Sequence, residues 1–302
     1  MRTTVPIVGL TLNFRDAART IECVRSLLAE GVHHVLVWDN SEDEGRSALT
    51  VRTGLGDEKR VSIELSAVNL GFAAGVNCGI DRILDVYPDA WILLINNDAR
   101  LTTGALAELR NGLLRAPMAG IAYPAIFQNG RISGTVHYQR WFGLLSRRPL
   151  PGSDPHASGC CMLIDPACTG RAVFDEDFFM YGEDAELGCR LRHRPGTLLH
   201  VPQARVEHEG SATGHNGSPF YETRLVAAHL ILARKLARSR FGHFGLLLGR
   251  AVMLPVRALL RAVRQRSLVP LHALFGGWRL AHGHDPLLAK ARRFSPRSGG
   301  QD

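Results

Sequence analysis

A short apolar run that ends in polar side chains constrains the fold of this chain more than any other feature. Residues 91–95 are Trp-Ile-Leu-Leu-Ile, and Asn96, Asn97 and Asp98 follow them directly. A run of this length, preceded by Pro88, predicts a buried parallel strand. Because ligands of open α/β sheets bind beyond the carboxyl ends of the strands, Asp98 is a candidate ligand for a hard divalent cation. Asn and Asp also form ordinary turns after strands, so the motif alone leaves both interpretations open.

The first hundred residues alternate between strand patterns and helix patterns. Apolar runs at residues 5–12, 34–38 and 61–65 predict strands, and apolar residues at helical spacing predict helices at 17–30 and 76–86. This alternation predicts βαβ units, and therefore an α/β fold with a mostly parallel sheet flanked by helices.

The later part of the chain predicts a looser arrangement and a separate helical extension. The remaining elements are predicted helices at 106–114 and 184–193, strands at 121–127, 161–164 and 198–202, a loop at 149–158, and a loop at 42–56 for which a short helix is the alternative. Residues 211–219 are rich in Gly and Ser, which is typical of a boundary. We therefore predict a first domain over residues 1–215, with halves 1–104 and 105–215, and an Arg-rich helical extension over residues 216–302.

Composition predicts a cytoplasmic protein. The 302 residues are 45% hydrophobic, enough for a sizeable core, and include six cysteines without a CxxC pair. Such cysteines do not form a disulfide framework or a zinc site, and they are typical of reduced thiols in the cytoplasm. The apolar run at residues 5–12 is too short to cross a membrane, and no convincing cleavage site follows it.

The net charge of +8 is concentrated at one end of the chain. Residues 220–302 contain 15 Lys and Arg against three Asp and Glu, whereas residues 1–219 contain 21 against 25. Within the longest apolar stretch of this tail, Arg250, Pro255 and Arg257 oppose a membrane-spanning helix. Two interpretations remain for the tail: amphipathic helices lying on anionic lipid, or a helical cap packed on the first domain.

Two further segments carry candidate binding groups. Asp39 ends the second predicted strand, where its carboxylate can bind a nucleobase or ribose, or form a turn with Asn40 and Ser41. Residues 69–77 are Asn-Leu-Gly-Phe-Ala-Ala-Gly-Val-Asn. Their small side chains let the backbone approach a ligand, or let a helix pack tightly on the sheet. The segment matches neither the P-loop nor the GxGxxG motif.

An acidic and aromatic segment, residues 174–184, is a candidate source of a general base. Its sequence is Phe-Asp-Glu-Asp-Phe-Phe-Met-Tyr-Gly-Glu-Asp. Aromatic neighbours exclude water and raise the pKa of a carboxylate, which suits a base. Glu183 and Asp184 also precede a predicted helix, so capping of that helix is the alternative. His208 lies beside two glutamates and is a candidate metal ligand, although lone surface histidines are commoner.

Taken together and in order, these segments resemble family 2 glycosyltransferases with the GT-A fold. The most similar subgroup is the bacterial rhamnosyltransferase-like enzymes of cell-surface polysaccharide assembly. The similarity extends from about Val5 to Gly210, with a weaker match at residues 220–224. It is carried by residues 12–14, 39–41, 69–77, 96–98, 159–164, 174–184 and His208.

The resemblance implies an activity and a role for each candidate residue. The implied reaction is the inverting transfer of a sugar, with rhamnose as a candidate, from a dTDP- or UDP-linked donor to a glycan or lipid-linked acceptor. Asp98 and His208 would bind Mg²⁺ or Mn²⁺ at the donor diphosphate. Asp184 would deprotonate the acceptor hydroxyl, and Glu183 would help to place the acceptor. The implied nucleotide-sugar contacts are Asn13, Asp39, Asn69, Gly71, Asn77 and Asn97.

The sequence departs from the family pattern at two positions, and two other functions stay open. Asn96 replaces the first Asp of the DxD-type motif, and Val76 stands where many relatives have Asn. A sugar-nucleotide pyrophosphorylase is one alternative, but it usually needs a Gly-rich basic N-terminal loop that residues 13–15 do not supply. A non-enzymatic module that binds an anionic surface is the other, and it leaves residues 174–184 unexplained. We do not expect a nucleic-acid partner.

Overall fold

The computed structural model describes residues 5–194, 196–210 and 217–297, which form twelve strands and ten helices. The strands are β1 (Ile7–Asn13), β2 (His34–Asp39), β3 (Val61–Leu65), β4 (Trp91–Ile95), β5 (Ala99–Leu101), β6 (Ile121–Gln128), β7 (Arg131–Ser133), β8 (Val136–Gln139), β9 (Leu144–Ser146), β10 (Ser153–His156), β11 (Cys161–Ile164) and β12 (Leu198–His208). The helices are α1 (Ala17–Ala29), α2 (Arg46–Leu55), α3 (Gly71–Val86), α4 (Ala105–Arg115), α5 (Pro166–Thr169), α6 (Glu183–Leu191), α7 (Pro219–Lys235), α8 (Arg240–Gln265), α9 (Val269–Ala281) and α10 (Pro286–Phe294).

Nine of these strands form one large sheet, in the order β3-β2-β1-β4-β11-β6-β12-β5, with β7 paired to β6. β1 is parallel to both β2 and β4, and β2 is parallel to β3. The predicted βαβ units and the α/β class are therefore confirmed. Antiparallel pairing enters at β11, which lies between β4 and β6. β10, β8 and β9 form a separate small sheet.

Both faces of the large sheet are covered, and all five residues of β4 are buried. Ile92 and Leu94 belong to the core that includes residues of α3. Leu93 and Ile95 belong to the core on the other face, with residues of α1 and α4. Because successive strand side chains point to opposite faces, burial on both sides explains the unbroken apolar run that predicted this strand.

Weak apolar periodicity accounts for the elements that the sequence predicted least clearly. The polar segment at 42–56, for which a short helix was the alternative to a loop, contains α2, whose buried residues are only Ala48 and Val51. The predicted loop at 149–158 contains β10, a polar strand. α3 begins at Gly71, five residues before the predicted start. The glycines of this first turn lower helix propensity, and contacts with neighbouring elements override that preference.

β12 is longer than the predicted strand, and this changes the position of His208. The predicted strand ends at Pro202, and a proline cannot donate a hydrogen bond to a sheet. In the structure, the register of β12 on β6 shifts between Val201 and Arg205, and the strand then continues to His208. A bulge of this kind accommodates a proline inside a strand. His208 therefore lies on the large sheet.

The C-terminal helices pack on the rest of the protein. Lys235 of α7 pairs with Asp175, with Nζ and Oδ2 2.8 Å apart. Arg297 pairs with Glu176, with Nε and Oε1 3.1 Å apart. These contacts favour the cap interpretation for the inner faces of the helices. Among the described residues, every helix is either too short or too polar to span a bilayer. The predicted boundary between residues 215 and 216 lies outside the described ranges.

Candidate functional site

The carboxyl ends of β1 and β2 bring a carboxylate and two hydrogen-bond donors together. Asn13 and Asp39 are register partners at the ends of these parallel strands. The Asn13 side-chain amide donates to Asp39 Oδ1 over 2.9 Å, and the Ser41 backbone amide donates to the same oxygen over 3.2 Å. Both side chains are buried. The predicted turn at residues 39–41 is present, and it fixes one oxygen of the Asp39 carboxylate.

Thr20 connects this pair to the end of β4. Its hydroxyl oxygen lies 2.8 Å from Asn13 Oδ1 and accepts a hydrogen bond from the Asn97 side-chain amide over 3.1 Å. A chain of hydrogen bonds therefore runs from Asp39 through Asn13 and Thr20 to Asn97. Thr20 was not among the predicted site residues. The sequence feature that could have indicated it is a polar hydroxyl on the otherwise apolar buried face of α1, one turn before Cys23 and Val24.

Asp98 and His208 meet next to this chain, although 110 residues separate them. Antiparallel pairing of β12 with β5 places His208 opposite Ala99. The Nε2 atom of His208 then lies 3.1 Å from Asp98 Oδ1. The backbone amide of Glu209 donates to the Asp98 carbonyl over 3.0 Å. The two residues predicted as metal ligands are therefore neighbours in the structure.

The donor atoms of this pair suit a divalent cation that a bound ligand also coordinates. A carboxylate and an imidazole are donors that Mn²⁺ accepts, and carboxylates also suit Mg²⁺. The described part of the chain contains no group of three or more His, Cys, Asp or Glu side chains that could hold a metal ion. The remaining coordination would therefore come from ligand oxygens and water.

Asp184 lies at the start of α6, after Gly182, whose φ of +93° suits glycine. Asp184 Oδ1 accepts from the Ala185 backbone amide over 2.8 Å, and Oδ2 accepts from the Gly159 backbone amide over 3.4 Å. The next carbonyl, that of Cys160, accepts from the Asn96 amide over 2.8 Å. The segment before β11 thus contacts both Asp184 and the turn that carries Asp98. Gly159 was not among the predicted site residues.

Glu183 is buried beside Asp184 and keeps its proton at neutral pH. Burial, and secondarily the neighbouring charge of Asp184, raise the pKa of Glu183 from 4.5 to about 8. Its Oε2 atom is buried without a hydrogen-bond partner among the described residues. A protonated carboxyl is the form that burial favours, since an unpaired buried carboxylate is costly.

Replacing Glu183 by Gln is expected to stabilise the protein at alkaline pH. The pKa of Glu183 is higher in the folded state, so its contribution to stability is complete below pH 4.5 and is lost as the pH rises through about 8. For the wild type this loss is on the order of a few kcal/mol. Thermal unfolding is measured from pH 4.5 to 9. The melting temperatures of wild type and variant should be similar at low pH, and that of the variant should become the higher one as the pH rises. Glu22→Gln, an exposed exchange of the same kind, is the control, and parallel pH profiles for wild type and Glu183→Gln would contradict the expectation.

The glycine-rich start of α3 holds the acidic and aromatic segment in place. Gly71 has a φ of +78°, and an added Cβ would lie 2.2 Å from the Phe179 carbonyl oxygen. The next amide, of Phe72, donates to that same oxygen over 2.7 Å. The Asn69 side chain accepts from the Gly71 amide over 2.9 Å. Tight packing, the alternative open for residues 69–77, is therefore observed here, and nucleotide contacts of Asn69 and Gly71 stay predictions.

Asn77 is fully buried, and its side chain forms hydrogen bonds to Val173, Phe174 and Glu176. Its Oδ1 accepts from the backbone amides of Val173 and Phe174 over 3.0 and 3.1 Å. Its Nδ2 donates to the Phe174 carbonyl and to Glu176 Oε1, each over 2.8 Å. The amide is therefore enclosed and bonded on both sides, and a nucleotide contact of Asn77 stays a prediction.

Similarity to known proteins agrees with this geometry. The chain is 25% identical to the N-acetylglucosaminyl-diphospho-decaprenol L-rhamnosyltransferase of Mycobacterium tuberculosis, over 89% of this chain and 98% of that protein. The mannosyltransferase PcManGT of Pyrobaculum calidifontis, solved with GDP-Man and Mn²⁺, has a TM-score of 0.56 at 14% identity, covering 96% of this chain and 87% of that one. TarS of S. aureus, residues 1–349, has a TM-score of 0.54 at 11% identity, with coverage of 96% and 88%.

A further solved structure extends this likeness to a longer protein. GalNAc-T7, solved with UDP, GalNAc and Mn²⁺, has a TM-score of 0.57 at 14% identity, and the match covers 76% of this chain but only 48% of that one. These structures share the predicted GT-A fold, which is thereby confirmed. The Glycosyl transferase family 2 model matches residues 11–167, more than half of the chain and most of the site. The chain belongs to glycosyl transferase family 2.

Proposed function

We propose that this glycosyltransferase moves L-rhamnose from a nucleoside diphosphate to a lipid-linked acceptor of cell-envelope glycan synthesis, with inversion at the anomeric carbon. The observation that carries the proposal is the set of hydrogen bonds along the sheet edge that joins Asp39 to Asn97, next to the Asp98–His208 pair. The likeness to the mycobacterial rhamnosyltransferase supports the sugar and the acceptor class.

The donor nucleotide is proposed to bind at the ends of β1 and β2. Asn13 and Ser41 hold Oδ1 of Asp39, and no described residue hydrogen-bonds its Oδ2. That oxygen can accept a hydrogen bond from a ribose hydroxyl or from a base N–H group. Fixing one oxygen orients the other before the ligand arrives, which lowers the entropy cost of binding.

Asp98 and His208 would hold the divalent cation, Mn²⁺ or Mg²⁺, next to the donor diphosphate. When bound, the cation supplies Lewis-acid stabilisation of the charge that develops on the leaving nucleoside diphosphate. Thr20 fixes the Asn97 amide and so the conformation of the turn that carries Asp98. With one carboxylate in the motif instead of two, His208 becomes the second protein ligand.

Asp184 is the proposed base on the acceptor side. The backbone amides of Gly159 and Ala185 orient its carboxylate, which takes the proton from the acceptor hydroxyl. The hydroxyl oxygen then attacks the anomeric carbon from the side opposite the diphosphate. Glu183, protonated at neutral pH, adds no second negative charge beside the base. Glu183 is proposed to help place the acceptor from its buried position beside Asp184, where its Oε2 has no hydrogen-bond partner among the described residues.

Transfer with a panel of donors tests the proposed reaction. The purified protein is mixed with polyprenyl-diphospho-N-acetylglucosamine, Mn²⁺ and either dTDP-L-rhamnose or UDP-linked sugars. We expect transfer from dTDP-L-rhamnose, lost on chelation of the metal, and a product with inverted configuration by NMR. Transfer only from other donors would overturn the choice of rhamnose. The absence of both transfer and metal-dependent thermal stabilisation with every donor would overturn the proposed reaction.

We also propose that the protein acts at the cytoplasmic face of the plasma membrane, held there by residues 220–302. The excess of 15 Lys and Arg over three acidic residues supports binding to anionic lipid. The amphipathic character of α8 supports the same conclusion, because one of its faces remains apolar and exposed. Salt-sensitive cosedimentation with phosphatidylglycerol vesicles is the expected result.

A further inference from the structure

We propose that the surface that meets the bilayer is built from two separate parts of the chain. One part is the outer face of α8, and the other is residues 140–145, which comprise the loop after β8 and the first two residues of β9 and are called the β8–β9 connection here. We call the two together the docking surface. The inference rests on the membrane association proposed for residues 220–302, and it adds a second anchor outside them and an orientation for the acceptor side of the site.

The outer face of α8 is a continuous apolar stripe. Exposed apolar side chains recur at intervals of three or four residues: Phe241, Phe244, Leu248, Val252, Val256 and Leu259. The first of them, a phenylalanine, is 91% exposed. The opposite face of the helix is buried against the protein through residues such as Leu246 and Leu254. A helix with one face packed and the other apolar and exposed is typical of an element that lies in a membrane interface.

The β8–β9 connection continues this apolar stripe. Trp141 and Phe142 are each 48% exposed, and Leu145 is 61% exposed. A Cβ added to Gly249 of α8 would lie 2.0 Å from the Trp141 carbonyl oxygen, and one added to Gly245 would lie 3.4 Å from the Trp141 ring. The two glycines thus let the connection lie directly on the helix. Because Trp favours the interface between water and hydrocarbon, this position suits an anchor at headgroup depth.

Arg250 of α8 connects the two parts through hydrogen bonds. Its side chain is fully buried, yet its hydrogen-bond partners are neutral: Nη1 donates to the Trp141 carbonyl over 2.7 Å, and Nη2 donates to the Tyr138 hydroxyl over 3.0 Å. Nε donates to the His229 carbonyl over 3.4 Å. Burial, reinforced by the charge of Arg250, lowers the pKa of His229 to about 3, so this neighbour stays neutral. Ordering of the connection therefore depends on the helix that carries the stripe.

The positive charge around the docking surface favours anionic lipid over a second copy of the chain as its partner. Arg147 and Arg148 follow the connection, and Arg240 and Arg264 flank the stripe, all exposed. None of these four forms an ion pair with a carboxylate of residues 5–194, 196–210 or 217–297. A second copy of the chain would bring arginines against arginines, which opposes self-association through this face. Anionic phospholipid headgroups supply the missing counter-charge beside hydrocarbon for the apolar stripe.

The docking surface also connects to the proposed base. Tyr138, which Arg250 contacts, packs in one core with Ala185, the residue after Asp184. β10, paired with β8, lies against α6, so closely that a Cβ on Gly188 would lie 2.3 Å from the His156 Cβ. The small sheet therefore contacts both the helix of the base and the docking surface. An acceptor anchored in the bilayer would approach from this side.

Vesicle binding by point variants of the full chain tests the proposal. One variant carries Trp141→Ser and Phe142→Ser, and a second carries Phe241→Ser and Phe244→Ser. A matched control carries Phe127→Ser and Leu49→Ser, two exposed apolar residues elsewhere. Cosedimentation uses vesicles of equimolar phosphatidylglycerol and phosphatidylcholine. We expect each docking-surface pair to weaken binding by about tenfold or more and the control to bind like the wild type.

The possible outcomes separate this proposal from the others. Loss of binding in the α8 variant alone would overturn the second anchor and leave the role of the tail intact. A dimer in sedimentation velocity that both pairs dissociate, without vesicle binding, would assign the surface to a second copy. Leu145→Ser, which leaves the contacts of Trp141 in place, keeps the test valid if the double variant unfolds. Transfer to a soluble acceptor analogue, measured in parallel, tests the proposed reaction independently of vesicle binding.

Discussion

Replacing Asp184 by Asn is expected to lower sugar transfer by about 10²–10⁴-fold, the range for loss of a general base. The amide has nearly the shape of the carboxylate, and its oxygen can still accept a hydrogen bond from Gly159 or Ala185. It cannot take the proton of the acceptor hydroxyl. Because the donor is proposed to bind at Asp39 and Asp98, its affinity should stay close to that of the wild type. Initial rates and calorimetric titration of the donor measure the two quantities.

Asp175→Asn is the matched control for this variant. Asp175 lies in the same acidic segment and pairs with Lys235 over 2.8 Å, so the exchange removes a charge of the same kind without touching Asp184. We expect it to retain most of the transfer rate. A wild-type rate for Asp184→Asn would show that another group removes the proton. Loss of donor affinity equal to the loss of rate would place Asp184 on the donor side instead.

The placement of the strand-end residues could be predicted because it follows from parallel topology. Asn13, Asp39 and Asn97 come directly after apolar runs, and parallel strands bring their carboxyl ends to one edge. The register of β1 on β2 makes Asn13 and Asp39 direct neighbours at this edge. Local patterns were sufficient here because the information lies within each short run.

The contacts across the site could not be predicted in the same way. Thr20 lies inside a helix, and its task depends on how α1 packs over β1 and β4. His208 reaches Asp98 only because a bulge lets β12 continue past Pro202 and pair with β5. Register shifts and helix packing depend on long-range contacts, and local patterns in a single sequence do not reveal these contacts.

The tail shows why the sequence left two interpretations open. Helices with both apolar and basic residues fit either a cap or a lipid surface, and here the two faces of α8 differ. The presence of Arg250 opposed a membrane-spanning helix in the sequence. In the structure its side chain is fully buried and donates hydrogen bonds to other parts of the protein. Phe241 and Phe244 on the other face are exposed. Composition alone does not assign residues to faces, because that depends on which side of the helix packs.

Replacing Asp98 by Ala is expected to remove the metal-dependent part of donor binding and to lower transfer by about 10²-fold or more. Asp98 and His208 are the two protein donors of the proposed site, and the carboxylate is the charged one. Without it, the cation has no anionic protein ligand, and the charge that develops on the diphosphate is stabilised less. Calorimetric titration of the nucleotide-sugar with and without Mn²⁺ should show a difference for the wild type and none for the variant.

Asp98→Asn and Glu209→Gln make this experiment specific. Asp98→Asn keeps an oxygen for the contact with His208 but removes the charge, so a similar loss would identify charge as the cause. Glu209 directly follows His208 and pairs with Arg19 and Arg100. Glu209→Gln therefore removes a negative charge beside the site and leaves the Asp98–His208 contact intact. We expect the Glu209 variant to keep Mn²⁺-dependent donor binding. If it lost that dependence as fully as Asp98→Ala does, the general negative potential of this edge would be responsible, and the metal would not be coordinated by Asp98.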